Sequence, residues 1–143
     1  MNSIILFFVF LLPLQWETNL DTAKKLAQEN NKLILLNFSG SDWCVPCIGL
    51  RKDYFETSAF EAFAADHFIL VNADFPRKAK NDDSEIQIKS SEALAEQYNP
   101  NGIFPLTLIL SSNGKVLKKW EGKPKVTVEK WLEEMQIVCE ANK

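Results

Sequence analysis

Apolar and polar positions follow one another along the chain in blocks that predict strands and helices in turn. Residues 32–38 and 68–74 are almost continuously apolar, which is typical of strands in a parallel sheet that is covered on both faces. A third apolar run at 104–110 is followed by the turn sequence Ser111-Ser112-Asn113-Gly114 and a return strand at 115–120, which predicts a hairpin. Helical periodicity predicts the remaining elements, at 19–30, 44–55, 58–63, 90–98 and 127–140.

Capping residues indicate where some of these helices begin. Ser58 and Glu61 have the spacing of a capping box, and Ser90 or Ser91 precedes the fourth helix. The charged stretch 76–84 before that helix is predicted to be an exposed loop. The last helix has one apolar stripe, expected to face the core, that consists of Trp131, Leu132, Met135, Val138 and Cys139.

The order of the predicted elements determines the fold class. Strands that alternate with helices form parallel pairs joined by crossovers, whereas the terminal hairpin adds an antiparallel pair. The sequence therefore predicts an α/β fold with a central mixed β-sheet flanked by helices on both faces. In such open sheets, active sites lie beyond the carboxyl ends of the strands.

The first residues differ in composition from the rest of the chain. Ile4 to Leu14 is an almost unbroken run of Ile, Leu, Phe and Val, which is short for a bilayer span and typical of the apolar part of a secretory signal. No Lys or Arg precedes the run. We assign residues 1–15 to a signal peptide or N-terminal export segment and residues 16–143 to one domain. The protein is expected to be exported, periplasmic or secreted, and an uncleaved segment would retain it at the membrane.

Composition and charge exclude one class of partner. The chain has 16 Lys and Arg against 19 Asp and Glu, a net charge of -3, and its basic residues are scattered. Nothing in this distribution would neutralise nucleic-acid phosphates, so no nucleic-acid partner is expected. The hydrophobic fraction of 46% is that of an ordinary globular domain. Three cysteines fit one pair and a lone Cys139.

The pair lies in Trp43-Cys44-Val45-Pro46-Cys47, directly after the apolar strand 32–38 and a short polar loop. On the first turn of a helix, Cys44 would face backbone N–H groups and the positive end of the helix dipole. Both favour the thiolate, which is the nucleophilic form of cysteine. We therefore predict that Cys44 attacks a partner disulfide and that Cys47 resolves the mixed disulfide.

A C-x-x-C pair has other uses. Structural zinc usually takes four Cys or His ligands, and a Cys3His site here would need Cys139 and His67 to converge on the pair. Covalent haem attachment needs C-x-x-C-H, but residue 48 is Ile. A purely structural disulfide would stabilise little, because so short a ring constrains few unfolded conformations. Redox chemistry is the favoured interpretation, and zinc remains the alternative.

With these features the chain resembles the thioredoxin superfamily. The resemblance covers about residues 16–140 and rests on four segments in order: Asn37-Phe38 at a strand end, Trp43–Cys47, a strand ending in Asp74, and Gly102-Ile103-Phe104-Pro105. The run from Phe38 to Cys44, F-S-G-S-D-W-C, is similar to a subgroup of exported thioredoxin-like disulfide reductases. The resemblance implies the thioredoxin fold, disulfide-containing protein substrates and a membrane thiol that donates electrons.

The resemblance also implies a substrate-docking surface around the cysteines. Pro105 corresponds to a cis-proline that faces the pair, and a cis bond would leave the backbone of Phe104 free to bind an extended substrate peptide. Trp43 is expected to shield the motif and to form this surface together with Val45 and Pro46. Within the superfamily, a proline at the position of Pro46 accompanies reducing proteins. It removes an N–H that would otherwise stabilise the attacking thiolate.

The chain departs from thioredoxin at two buried charges. Thioredoxin has a buried Asp in the strand before the motif and an accompanying Lys in the next strand, whereas this chain has Asn37 and Leu70. An amide does not titrate, so Cys47 must lose its proton to water or to another base. Asp42 is the nearest carboxylate in sequence and is a candidate proton relay. An exposed loop residue or a helix cap would explain Asp42 equally well.

The sequence thus predicts a protein-disulfide reductase that acts on exported proteins through the Cys44/Cys47 couple. A disulfide oxidase or isomerase is the alternative with the same fold, and a non-catalytic binding module is the alternative from another class. No metal and no cofactor beyond the redox-active disulfide is expected. Because the sequence shows no dimerisation extension, a monomer is expected, and Cys139 is interpreted as a buried structural residue.

Overall fold

The computed structural model describes residues 13–78 and 82–143, with the backbone alone at 82–84. The predicted export segment covers residues 1–15, of which 1–12 lie outside the described residues. No helix in the described stretches is long and apolar enough to cross a membrane. The elements in chain order are β1 (Trp16–Glu17), α1 (Leu20–Asn30), β2 (Leu33–Ser39), α2 (Val45–Leu50), α3 (Ser58–His67), β3 (Phe68–Asp74), α4 (Asp82–Tyr98), β4 (Leu106–Leu110), β5 (Val116–Glu121) and α5 (Val128–Ala141).

The five strands form one sheet in the order β1-β3-β2-β4-β5. The central strand β2 is parallel to β3 and antiparallel to β4, and β5 completes the hairpin at one edge. Every residue of β4 is buried, as are residues 34–38 of β2. The continuous apolar runs therefore belong to strands covered on both faces, as predicted, and the mixed sheet with helices on both faces is confirmed.

The side chains of β2 point alternately into two hydrophobic clusters, one on each face of the sheet. The first cluster contains Ile34, Leu36 and Phe38, which pack with α1 and α4. The second contains Leu35, which packs with the helices α2, α3 and α5. The predicted stripe of α5 is confirmed, because this second cluster includes Trp131, Leu132, Met135, Val138 and Cys139. The candidate motif therefore follows a strand that is held from both sides.

The helix after the cysteines is not one regular α-helix. α2 ends at Leu50 and continues as a π-helical turn over Arg51–Phe55, instead of the single helix that the sequence predicts. The turn buries Tyr54, whose hydroxyl donates to the carbonyl oxygen of Val126 at 2.5 Å and lies 3.0 Å from that of Pro124. These bonds tie the π-helical turn to the loop before α5.

α4 begins well before its predicted start. It includes residues 82–84, which were expected to belong to an exposed loop, and Ser90 and Ser91 lie inside the helix rather than at its cap. Ile86 in its second turn is 70% exposed, whereas Leu94 is buried. Residues 85–87 are all exposed, so this part of the helix lacks the core-facing periodicity on which the prediction depended.

α3 also begins differently from the prediction. Its N-cap is Thr57, whose hydroxyl accepts a hydrogen bond from the Phe60 N–H at 3.2 Å, and Ser58 is the first helical residue. The capping box of Ser58 and Glu61 is thus wrong by one position. Either hydroxyl can cap a helix, and the Thr57 hydroxyl also donates to the Tyr54 carbonyl at 2.7 Å, a bond across the turn that precedes α3.

Candidate active site

Cys44 and Cys47 form a disulfide where β2 gives way to α2. Cys44 is the N-cap of α2, and its Sγ accepts a hydrogen bond from the Cys47 N–H at 3.3 Å. Pro46 lies in the first turn, where its missing N–H costs no helical hydrogen bond. The pair is largely buried, with Cys44 5% and Cys47 4% exposed. The predicted nucleophile therefore lies where a helix start offers N–H groups to a thiolate.

The loop before the disulfide depends on a close approach between Gly40 and Trp43. The Gly40 carbonyl accepts the N–H groups of Trp43 at 3.3 Å and Cys44 at 2.9 Å. A Cβ at Gly40 would lie 2.3 Å from Cε2 of the Trp43 ring, so only glycine leaves room for the indole. Trp43 Nε1 donates to the Phe75 carbonyl at 2.7 Å. The Trp43 and Phe104 rings pack edge to face, with 5.6 Å between their centres.

Replacing Gly40 with Ala is expected to displace the Trp43 indole. The added methyl group would occupy the volume of the ring, so the ring must move and lose its hydrogen bond to Phe75, at a cost of about 1–3 kcal/mol in the free energy of unfolding. The indole N–H resonance of Trp43, identified by its absence from Trp43→Phe, would report the displacement. Thermal unfolding would report the cost.

Gly49→Ala is the matched control for this substitution. A Cβ at Gly49 would approach only the flexible end of Lys123, at 3.2 Å from Nζ. Alanine also favours a helix interior over glycine, so this variant should keep the Trp43 resonance and lose no stability. An unshifted resonance together with full stability in Gly40→Ala would contradict the close approach.

Next to Cys47, three polar side chains cross the sheet. Asn37 on β2 is in register with Asn72 on β3 and with Thr107 on β4. Asn37 Nδ2 donates to Asn72 Oδ1 at 3.3 Å, and Thr107 Oγ1 donates to Asn37 Oδ1 at 3.1 Å. Asn37 is 5% exposed, so these bonds satisfy an amide that would otherwise be costly to bury. This polar row contains no titratable group.

A pocket of about 260 Å³ lies between the polar row and Cys47. Cys47, Ser39 and Ser41 line it together with the amides of Asn37 and Asn72. Its volume far exceeds the roughly 30 Å³ that one water molecule occupies in the liquid. The pocket therefore has both the room and the polar groups to hold water beside the Cys47 thiol.

Asp42, the candidate proton relay, binds a neighbouring loop. Its two carboxylate oxygens accept the backbone N–H groups of Arg77 and Lys78, each at 2.9 Å. The hydrogen bond from the Arg77 N–H holds the pKa of Asp42 below its usual range, which makes the carboxylate a weaker base. Neither hydrogen bond leads toward the cysteines. The structure gives Asp42 the position of a loop anchor.

A second carboxylate, Asp74 at the end of β3, fixes the loop before the motif. Asp74 Oδ1 accepts the N–H groups of Ser41 and Phe75, each at 2.9 Å, and Oδ2 accepts the Ser41 hydroxyl at 2.5 Å. Sequence reasoning treated Asp74 only as the end of a strand. The signal that it missed is a carboxylate that directly follows a buried strand, where backbone N–H groups of the connecting loops need partners.

The other predicted docking residues surround the disulfide. Val45 is 77% exposed, and Pro46 is exposed beside it. The peptide bond between Phe104 and Pro105 is cis, and the Phe104 ring packs between the rings of Trp43 and Phe75. Within the described residues, neither the N–H nor the C=O of Phe104 takes part in a backbone hydrogen bond. The structure thus brings all five predicted docking residues to one end of the molecule.

The third cysteine and the histidine lie away from the pair. Cys139 and His67 both line a pocket near the start of β2, at the opposite end of the sheet. Burial raises the pKa of the Cys139 thiol to about 11, so this thiol stays protonated at neutral pH. In residues 13–78 and 82–143, no group of three or more His, Cys, Asp or Glu side chains is placed to hold a metal ion.

Known proteins share this architecture. A family model described as Thioredoxin-like matches residues 15–111. The disulfide bond reductase DsbH of Chlamydia pneumoniae is 35% identical over 111 residues, which are 78% of this chain and 64% of that protein, or less than two thirds of its length. A solved DsbH oxidoreductase aligns with a TM-score of 0.80 and 28% identity, over 98% of this chain and 94% of its own. A thioredoxin from Thermus thermophilus aligns with a TM-score of 0.67 and 16% identity, over 92% and 91% of the two chains, which shows a shared fold.

Proposed function

This chain belongs to the thioredoxin-like family, and on that premise we propose that it is a thiol–disulfide oxidoreductase that reduces disulfides of exported proteins. The observation that carries the proposal is the Cys44–Cys47 disulfide at the start of α2, with Cys44 Sγ bonded to a helix N–H. The resemblance to the thioredoxin superfamily and its fold is confirmed by the family match and the structural alignments. The curated relative is named a disulfide bond reductase, which supports the reducing direction.

The proposed reaction has two exchange steps. In the reduced protein, the Cys44 thiolate attacks one sulfur of a substrate disulfide. The substrate bond breaks, and its other sulfur leaves as a thiolate that takes up a proton. Cys47 then loses its proton and attacks Cys44 Sγ, which releases the second substrate thiol. The substrate gains two electrons and two protons, and the protein is left with the Cys44–Cys47 disulfide seen in the structure.

The proton of Cys47 is proposed to leave through water in the adjoining pocket. Asn37 and Asn72 line that pocket and cannot themselves accept the proton. Asp42 is directed to the loop of Arg77 and Lys78 and is a weakened base. Of the two routes that the sequence leaves open, the contacts of the described residues favour water over an Asp42 relay.

Substrate is proposed to dock on the exposed surface that surrounds Cys44. Val45 and Pro46 are exposed apolar side chains beside Cys44, and the Trp43 ring packs against the Phe104 ring next to them. The free backbone groups of Phe104 can pair with an extended peptide, as in recognition by strand addition. Pro105 then holds this segment beside the disulfide.

The proposal predicts a reducing couple, with a potential near about -270 mV for Cys44/Cys47. Pro46 supplies the reason, because it deprives the first turn of α2 of one N–H that would stabilise the thiolate of the reduced form. Equilibration of the full chain in dithiothreitol buffers of known ratio, followed by alkylation and mass spectrometry, would measure the potential.

The same measurement distinguishes the alternatives. A potential of about -120 to -180 mV would make the protein an oxidase or isomerase. The absence of a reversible couple would leave a non-catalytic binding module. Cys139→Ala is the matched control, because Cys139 lies at the other end of the sheet and its loss should leave the potential unchanged.

The proposed setting is outside the cytoplasm. The apolar run from Ile4 to Leu14 supports export, with the segment either cleaved or retained as a membrane tether. Periplasmic or secreted proteins carry the disulfides that such a couple would reduce. A membrane thiol would return electrons to the couple, and the protein would act as a monomer.

A further inference from the structure

Three hydrogen bonds and one cation–π contact join the loop after β3 to Asp42 and Trp43, just before Cys44. Asp42 accepts the N–H groups of Arg77 and Lys78, and Trp43 Nε1 donates to the Phe75 carbonyl at 2.7 Å. The Arg77 guanidinium carbon also lies 4.6 Å from the centre of the Trp43 ring, within the range of a cation–π contact. The backbone of this loop and one of its cations are therefore positioned beside the residue that precedes Cys44.

The Arg77 charge has no acidic partner among the described side chains, where no carboxylate lies within 4.0 Å of it. Both carboxylate oxygens of Asp42 accept backbone N–H groups rather than the Arg77 side chain. Its single negative charge offsets only one of the two positive charges of Arg77 and Lys78. Arg77 itself is exposed. Among the described side chains, the Arg77 guanidinium is therefore an unpaired cation at the rim of the docking surface, on a chain whose net charge is negative.

We propose that Arg77 is a specificity-determining residue that favours substrate disulfides flanked by an acidic residue. When a guanidinium stacks on an aromatic ring by its face, its edge of N–H donors stays free for a carboxylate. The Trp43 ring also holds the side chain in place, so less conformational entropy is lost when a carboxylate binds. The inference rests on the proposed reduction of protein disulfides.

The test compares three substrates that differ in one charge. Each is a peptide joined through its cysteine to the same chromophoric thiol, with Asp, Asn or Lys next to the cysteine. Reduced full-length protein should attack the Asp peptide about fivefold faster than the Lys peptide, with the Asn peptide between them. Arg77→Gln should bring the ratio close to one, and added salt should do the same in the unmodified protein.

Two further variants separate charge from structure. Lys25→Gln removes an exposed positive charge on α1 and should preserve the ratio. Arg77→Lys keeps the charge but loses the planar fork, so its ratio should lie between those of the unmodified protein and Arg77→Gln. An equal ratio in Arg77→Gln and the unmodified protein would overturn the assignment, and so would a uniform slowing with all three peptides. Failure to reduce any of the peptides would instead overturn the proposed function.

Discussion

Replacing Cys44 with Ser is expected to abolish disulfide reduction, whereas replacing Cys47 with Ser should stop the reaction after its first step. A serine hydroxyl is not ionised at neutral pH, so Cys44→Ser lacks the nucleophile, and the rate should fall about 10³-fold or more. Cys47→Ser keeps the attack by Cys44 but lacks the sulfur that would resolve the mixed disulfide. This variant should accumulate a mixed disulfide with a peptide substrate, visible as an added mass in non-reducing mass spectrometry.

Cys139→Ala is the control for both variants. Its thiol is buried at the opposite end of the sheet, with a pKa raised to about 11 by burial, and its loss should leave the rate and the trapped product unchanged. Trapping by Cys44→Ser instead of Cys47→Ser would reverse the two assignments. If the mixed disulfide no longer forms when Cys139→Ala is combined with Cys47→Ser, the attacking residue would be Cys139 and not Cys44.

Replacing Asn37 with Asp is expected to make stability strongly dependent on pH. A protonated carboxyl group can replace the amide, since it can accept from Thr107 and donate its own O–H toward Asn72. Once ionised it has no donor for Asn72 Oδ1 and is a charge in a buried site. At neutral pH we expect a loss of about 2–4 kcal/mol in the free energy of unfolding.

The sign of this dependence follows from linkage. Burial would raise the pKa of the introduced carboxyl above its unfolded value of about 3.9, so the folded state would hold the proton over a range in which the unfolded state has lost it. Stability relative to the parent should therefore be nearly preserved below about pH 4 and should fall as pH rises above it. Urea unfolding at several pH values, with Asn101→Asp as the exposed counterpart, would measure the effect. A constant deficit across pH would contradict it.

Much of the fold could be predicted because its three central strands, β2, β3 and β4, are largely buried. β2, β3 and β4 appear in the sequence as apolar runs, and α5 appears as a periodic stripe. β1 could not be predicted, since its two residues, Trp16 and Glu17, are too few to form a pattern and depend on pairing with β3. The early turns of α4 and the π-helical turn could not be predicted for a related reason. Neither segment contacts the core at a regular helical spacing, so no periodic apolar pattern indicates it.

Some residues of the candidate site could likewise be predicted from the sequence, and others could not. The cysteines could be recognised because their spacing is local and their chemistry is specific. Arg77 and Asp74 could not, since Asp42 and Arg77 are 35 residues apart and Ser41 and Asp74 are 33 apart, so only the folded chain brings each pair together. Asn37 did carry a signal. A polar residue inside a buried strand needs polar neighbours, and the register supplies them in Asn72 and Thr107.

The close approach of Gly40 and Trp43 has a consequence for how such a chain can change over generations. The Trp43 ring occupies the space where a side chain at position 40 would lie, so substitutions at the two positions are coupled. A larger residue at position 40 becomes acceptable only after the indole has been lost, and a lineage that keeps the indole must keep the glycine. Selection that retains the tryptophan beside Cys44 therefore also retains the glycine at position 40.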